Sequence, residues 1–515
     1  MKSQSNLTQF LRDSQFYKTI PIVETITVDT LSPIQIVEKL KQDIVYLLES
    51  KDESSSWSRY SFIGLHPFLT LHDEQDHYIA RDAAGKSVMQ KAELKELLDW
   101  MKEQYQIKTP EIDIPFTGGA VGYLSYDLIP NIEPSVKPHP NASTTDNCTL
   151  FVCQTMIAFD HETNQVHFIQ YTQLNGHETE EEKILVYREN QKQLELMIQQ
   201  LHTKIDMKEL IISGNMNESP SFEQVTSTYE KAKFLKDVEK IKEYIRAGDI
   251  FQGVLSQRFD IPVTVSSFEL YRVLRIVNPS PYMYFMKLKD RDLVGSSPER
   301  LIHAKNGHLE IHPIAGTRKR GMTKEEDDAL ARELLDDEKE KAEHYMLVDL
   351  ARNDVGRVAE YGSVSVPTFT KVVNFSHVMH IISIVTGKLK QDTHPVDALM
   401  SAFPAGTLTG APKIRAMQLL NEMEPEPRET YGGCIAYIGF DGNIDSCITI
   451  RTMSVKHQTA SIQAGAGIVA DSVPENEWEE TCNKAGALLK AIQLAEHIFS
   501  EKESVPNEST TISSC

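Results

Sequence analysis

Two glutamate pairs carry the first chemical signal in this 515-residue chain. Glu340 and Glu343 lie three positions apart in KEKAEHYMLVDLARND (339–354), and Glu477 and Glu480 repeat the spacing in ENEWEE (475–480). Three positions on an α-helix are about 300° of rotation, so both carboxylates of a pair share one face. Acidic groups within one turn repel, and a fold that brought the two helices together needs a cation between them. Magnesium, a hard ion that takes oxygen ligands and keeps some of its waters, suits such a set. A solvated acidic helix face is the competing explanation for either pair taken alone.

Three further stretches offer donors to an anion. PIAGTRKRG (313–321) ends a strand in a glycine turn followed by three consecutive cations, with backbone N–H groups and the Thr317 hydroxyl as donors. FPAGTLTGAPK (403–413) is dense in hydroxyls and glycines and runs into a helix from Lys413, where a helix N-terminus favours negative charge. QAGAG (463–467) presents backbone beside a strand that carries Arg451. His377 and His380 are three apart with no glutamate between them that would make a zinc-protease motif, and one of them is a candidate base.

The composition narrows the partners. With 40% hydrophobic and 25% charged residues the chain is globular. Its length predicts two domains or one large composite domain. A formal net charge of -21 argues against nucleic acid or an anionic membrane as a general partner, so an anionic ligand must be met locally by Arg, Lys or a metal. The six cysteines have no metal-ligand spacing and read as reduced thiols. The first 17 residues are polar and no apolar run reaches the length of a membrane span, so a cytoplasmic location is expected.

Elements that would position these groups follow from periodicity. Apolar spacing predicts a helix over 33–48, one long helix over most of 324–353 ending before Gly356, and helices at 91–105, 178–203 and 234–247. Alternation predicts a hairpin of 150–159 with 165–173, a hairpin turning at Asn306-Gly307, and a meander of 433–440, 444–455 and 461–469. GGAVGY (118–123) lacks phosphate-loop spacing and reads as close strand packing. Strand runs linked by hairpins favour an α+β class with large antiparallel sheets. Composition predicts an N-terminal domain over 1–212, a linker at 213–228, a second domain over 229–498 and a disordered tail at 499–515.

KAEHYMLVDLARND, PIAGTRKRG, PAGTLTGAPK and the 477–484 stretch, in this order, resemble the chorismate-utilising enzymes, specifically the family of anthranilate synthase large subunits, over Ile20 to about Ile498. The resemblance implies an antiparallel β-sandwich flanked by helices, with magnesium and chorismate in the C-terminal part. It implies that Glu343 and Glu480 ligate the metal, with Glu340 and Glu477 as a second acidic layer. Gly316, Thr317, Tyr431, Arg451 and the backbone of Gly465, Ala466 and Gly467 would hold the substrate. Glu299 would be the acid that assists loss of the ring hydroxyl, with His380 and Thr407 on the enolpyruvyl side.

Two positions discriminate within the family. Ala315 stands where aminodeoxychorismate synthases often carry a nucleophilic lysine, and alanine has no such group. Gln252 stands where isochorismate and salicylate synthases place a lysine that activates water, so ammonia is the better nucleophile. Cys434 follows two glycines but enters a strand without an elbow, so a glutamine amidotransferase subunit is expected as a separate partner. LLES (47–50) and NPSPYM (278–283) match segments that form the family's L-tryptophan feedback site, which assigns Ser50, Pro281, Tyr282 and Met283 to inhibitor binding. The alternatives are an aminodeoxychorismate synthase large subunit and a non-catalytic amino-acid sensor of the same fold.

Overall fold

The computed structural model describes all residues except 1, 4–5, 52–55, 76, 144, 206, 213–218, 375–377 and 501–515. His377, the first part of the expected linker (213–218) and all of the expected tail beyond Ser500 lie outside the described residues.

Every strand pairing between named strands is antiparallel, and helices cover the outer faces, as the α+β expectation requires. Two long strands hold the architecture together. Tyr60–Glu74 and Thr145–Asp160 pair along almost their whole length, with a register shift between Pro67 and Leu69. The second half of Thr145–Asp160 pairs with Gln165–Gln173, whereas its first half pairs with Gly119–Leu124. One strand therefore feeds two sheets, which close on an aromatic interior of Tyr46, Phe62, Phe116, Tyr171, Tyr284 and Tyr437.

Each outer face is buried by helices of matching periodicity. On one sheet, Leu270, Val273 and Leu274 of the helix Ser267–Val277 and Leu488, Leu489 and Ile492 of the helix Pro474–Phe499 cover Leu47, Ile63, Val294 and Ile462. On the other, Leu94, Leu97 and Leu98, with Val348, Ala351 and Val355, cover Leu71, Leu150 and Ile302. Burying each such side chain is worth about 1.5–3 kcal/mol, so these faces fix which side of each sheet is outward.

Hydrogen bonding joins the sequence's two halves directly. Ile44–Glu49 pairs with Tyr282–Lys287, and Gly119–Leu124 pairs with Cys434–Gly439. At the second junction a Cβ on Gly119 would stand 2.1 Å from the Ile438 carbonyl oxygen, and on the strand's other edge one on Gly122 would stand 1.9 Å from that of Thr149 in Thr145–Asp160. The close strand packing expected of GGAVGY is what the fold uses.

Three local expectations are corrected. The helix expected over 33–48 ends at Lys39, and 44–49 is a strand, because the β-branched and aromatic residues Ile44, Val45 and Tyr46 have partners in Tyr60–Glu74 and Tyr282–Lys287. The long helix over 324–353 is two helices, Lys324–Asp336 and Glu338–Val358, with Gly356 inside the second. Asp337 makes the break: its backbone is extended, and its carboxylate accepts from the backbone N–H groups of Lys339 and Glu340. The strand over 444–455 is interrupted. Ile444–Ile448 pairs with strands of one sheet, Thr452–Lys456 with strands of the other, and Arg451 sits between them with φ of +50°.

Candidate active site

The two glutamate pairs come from Glu338–Val358 and Pro474–Phe499, and the fold brings them into one electrostatic environment. Glu343 keeps solvent contact at the mouth of the site. Protein packed around it nonetheless lifts its carboxyl above the usual range by partial desolvation, with repulsion from Glu340 and Glu480 adding to the rise. Glu477 is raised likewise, by burial and then by Glu480. Lys484 forms an ion pair with Glu480 at 2.6 Å. Glu340 is 3.4 Å from Arg318. Among the described residues no three acidic, histidine or cysteine groups converge closely enough to grip a metal ion. Mutually repelling carboxylates are nonetheless a hard-oxygen donor set that a divalent cation would relieve.

Glu299 occupies the corner between Asp292–Ser297 and Arg300–Lys305. Its carbonyl accepts from the Ile448 N–H at 3.0 Å, which fixes the corner. Thr407 Oγ1 donates to Glu299 Oε1 at 2.8 Å, bringing PAGTLTGAPK against the corner. Desolvation raises the Glu299 carboxyl to about 7, opposed by the Thr407 hydrogen bond and by the charge of Lys484. A carboxyl balanced near neutrality holds a proton that it can deliver.

Of the expected substrate residues, Tyr431 lies against the strand that carries Gly465 and Gly467. Lys484 Nζ donates to the Gly465 carbonyl at 2.9 Å. A Cβ at Gly465 would come 2.7 Å from the Tyr431 hydroxyl, and one at Gly467 would come 2.5 Å from Gln252 Nε2, so the strand Thr459–Ile468 is approached closely on this face. Ala466, between them, is buried and pairs with Leu255. Arg451 shares a cavity of about 460 Å³ with Glu480 and Lys484. Its guanidinium reaches Asn278 Oδ1 at 3.4 Å, and burial lowers its pKa.

Gly316 and Thr317 lie beside Glu340 and His380. Gly316 has φ of +66° at a register shift against Val378–Lys388, and a Cβ there would stand 3.3 Å from Glu340 Oε2. His380 Nδ1 lies 2.8 Å from the Gly316 carbonyl and 3.1 Å from Thr317 Oγ1. His380 is thus seated by Gly316 and Thr317, while Thr407 is seated by Glu299.

Two anion expectations change. Arg318 is engaged by Glu333, Asp337 and Glu340, and Arg320 by Asp327, so the loop's arginines are already neutralised. Lys413, the last residue of the second expected site, is held at 2.9 Å by both oxygens of Asp354. The cation missed by sequence reasoning is Lys484, which touches Glu480 and Gly465 and lowers Glu299. Its signal was its place four residues after Glu480 on one helix face.

The other predicted cluster also assembles. Ser50, Pro281, Tyr282 and Met283 line one mostly apolar cavity of about 390 Å³ between the sheets. Beneath it, buried Glu49 accepts two hydrogen bonds from Arg275 at 2.8 and 2.9 Å and one from the Tyr271 hydroxyl at 2.6 Å. Cys434 is buried in its strand and its thiol is raised by desolvation, the opposite of an activated nucleophile.

The chain matches the chorismate binding enzyme family over residues 45–490. It is 89% identical over 515 residues to anthranilate synthase component 1 of Bacillus pumilus, covering 100% of both chains. It is 68% identical over 508 residues to that of Bacillus subtilis (strain 168), covering 99% of each. The crystal structure of anthranilate synthase component I from Streptococcus pneumoniae TIGR4 is similar with a TM-score of 0.73 and 35% identity, over 90% of this chain and 98% of that one. The chain therefore belongs to the chorismate binding enzyme family and shares the fold of that crystal structure. Within the family it is a member of the anthranilate synthase component I group. No helix among the described residues is long and apolar enough to cross a membrane.

Proposed function

We propose that the chain converts chorismate and ammonia to anthranilate, pyruvate and water, as the large subunit of a two-component enzyme of tryptophan biosynthesis. The observation that carries this reading is Glu299, a carboxyl held near neutrality against Thr407 and within reach of the charge of Lys484. Arg451, Tyr431, Thr317 and the backbone from Gly465 to Gly467 bind and orient the carboxylates and enolpyruvyl group. Glu299 gives its proton to the departing ring hydroxyl as ammonia adds to the ring. Loss of a ring proton and of pyruvate then yields the aromatic product.

Glu343 and Glu480, with Glu340 and Glu477 behind them, are the residues that would hold magnesium. The bound ion supplies positive charge that neutralises the ring carboxylate of the substrate in an otherwise acidic chain. Lys484 engages Oε1 of Glu480, which leaves Oε2 as the oxygen that would meet the ion.

Ala315, buried opposite Ile381, and Gln252, beside Gly467, favour ammonia over a lysine adduct or activated water. The buried, raised Cys434 thiol supports a separate glutamine amidotransferase subunit as the ammonia source. Purified chain should form anthranilate with an ammonium salt and not with glutamine, and glutamine should become a donor only when the partner subunit is added. Glutamine use by the chain alone would overturn this division of labour.

The cavity at Ser50, Pro281, Tyr282 and Met283 is the proposed site of feedback inhibition by L-tryptophan. Ser50→Phe places a ring in a wall residue of that cavity. Half-inhibitory tryptophan should rise at least about tenfold, the loss of about 1.4 kcal/mol of binding. The uninhibited rate should stay within about twofold. Inhibition curves for the two proteins check this, and an unchanged curve would remove the cavity as the effector site.

A further inference from the structure

The chain alternates across the wall between the two sites. Pro298 and Arg300 line the effector cavity, while Glu299, between them, turns its carboxyl to Thr407. Arg300 is the polar end of that cavity. Its Nε donates to the Tyr282 hydroxyl at 2.7 Å, its NH1 donates to Glu310 Oε1 at 3.0 Å, and Asp445 Oδ1 is 3.6 Å from Nε. The Tyr282 hydroxyl in turn donates to Asp445 at 3.1 Å, and His312 Nε2 is 2.5 Å from Glu310 Oε1.

Tyr282 is thus shared. It belongs to the segment 281–283 on the effector wall, and its backbone pairs with Ser297, the residue two before Glu299. On the far side of the corner the register slips between Arg300 and Ile302, so Arg300 is the last in-register residue on the acid's side of that irregularity. The position of the corner is set by backbone bonds on one side and by the Arg300 fork on the other.

Resting on the feedback reading above, we propose that Arg300 is the positioning residue that transmits occupancy of the effector cavity to Glu299. A ligand that moves Tyr282 must either carry Arg300 with it or break the Arg300–Tyr282 bond. Either change shifts the backbone that carries the acid relative to Thr407. Coupling through Arg300 is a difference in how the two cavity states hold one side chain, which is what linkage between two sites requires.

The test separates tryptophan binding from tryptophan inhibition. Wild-type chain, Arg300→Gln and Glu310→Gln are titrated with L-tryptophan by calorimetry, and each is assayed for ammonia-dependent anthranilate formation at saturating tryptophan. Arg300→Gln changes a lining residue and should bind tryptophan more weakly but measurably, yet retain at least about half of its uninhibited rate at a concentration that saturates that variant. Glu310→Gln, which keeps the arginine and removes the charge of one of its anchors, should show the same split to a smaller degree, and it decides the matter if Arg300→Gln does not fold. Complete inhibition of the folded variants at saturation would overturn the role of Arg300 while leaving the effector site intact. Absence of tryptophan binding by wild type would overturn the feedback reading and this inference together.

Discussion

Glu299→Gln should lower kcat for anthranilate formation by about 10²–10⁴-fold, the range for loss of a positioned general acid. The amide keeps the shape and can still meet Thr407, so the KM for chorismate should change little. The same variant should be more stable than wild type at pH 8. Desolvation raises the folded-state carboxyl from its ordinary 4.5 to about 7. Between those values the folded chain holds a proton that the unfolded chain has lost, so stability falls as pH rises through that window and is lowest above it. The glutamine has no such dependence. Its advantage at pH 8 is on the order of 2–3 kcal/mol and shrinks as pH is lowered toward 5. Denaturant unfolding at the two pH values, beside steady-state kinetics, checks both halves. A variant that is inactive and also destabilised at pH 8 would point to a structural carboxylate.

Glu343→Gln and Glu480→Gln should each cut magnesium-dependent activity by at least about 10²-fold and weaken magnesium binding by at least tenfold. The physical reason is the repulsion already present: Glu343 is raised in part by Glu340 and Glu480, and Glu477 by Glu480. Removing one charge therefore leaves the metal-free chain no less stable, while a magnesium ion loses a hard oxygen ligand. Glu340→Gln should be milder for the metal, because Glu340 already shares Arg318 with Asp337 and Glu333. Magnesium titrations by calorimetry and by rate would read these effects. Equal magnesium affinity in wild type and Glu343→Gln would remove that carboxylate from the metal site.

That Glu340 with Glu343, and Glu477 with Glu480, share a helix was legible because short-range spacing fixes which side chains lie on one face. The hairpin of Thr145–Asp160 with Gln165–Gln173 and the turn at Asn306-Gly307 were legible for the same reason. What sequence withheld was long-range. LLES reads locally as a helix end, and only the distant partners at 282–287 and 60–74 make it a strand wall of a cavity. Asp337 interrupts a helical pattern that leucine spacing alone would carry through, because capping is decided by backbone geometry that no glycine or proline announces there. Arg451 takes a left-handed φ without a glycine, at a point where one stretch changes sheets. The arginines of 318–320 looked free for an anion until the fold set Glu333, Asp337 and Asp327 against them.

The most direct measurement is the product balance of the purified chain given chorismate, magnesium and an ammonium salt at mildly alkaline pH. Anthranilate fluorescence should rise with pyruvate in a one-to-one ratio, stop when magnesium is chelated, and fall when L-tryptophan is added. Chorismate consumed without pyruvate, yielding isochorismate or an aminated chorismate that keeps its enolpyruvyl group, would contradict the account.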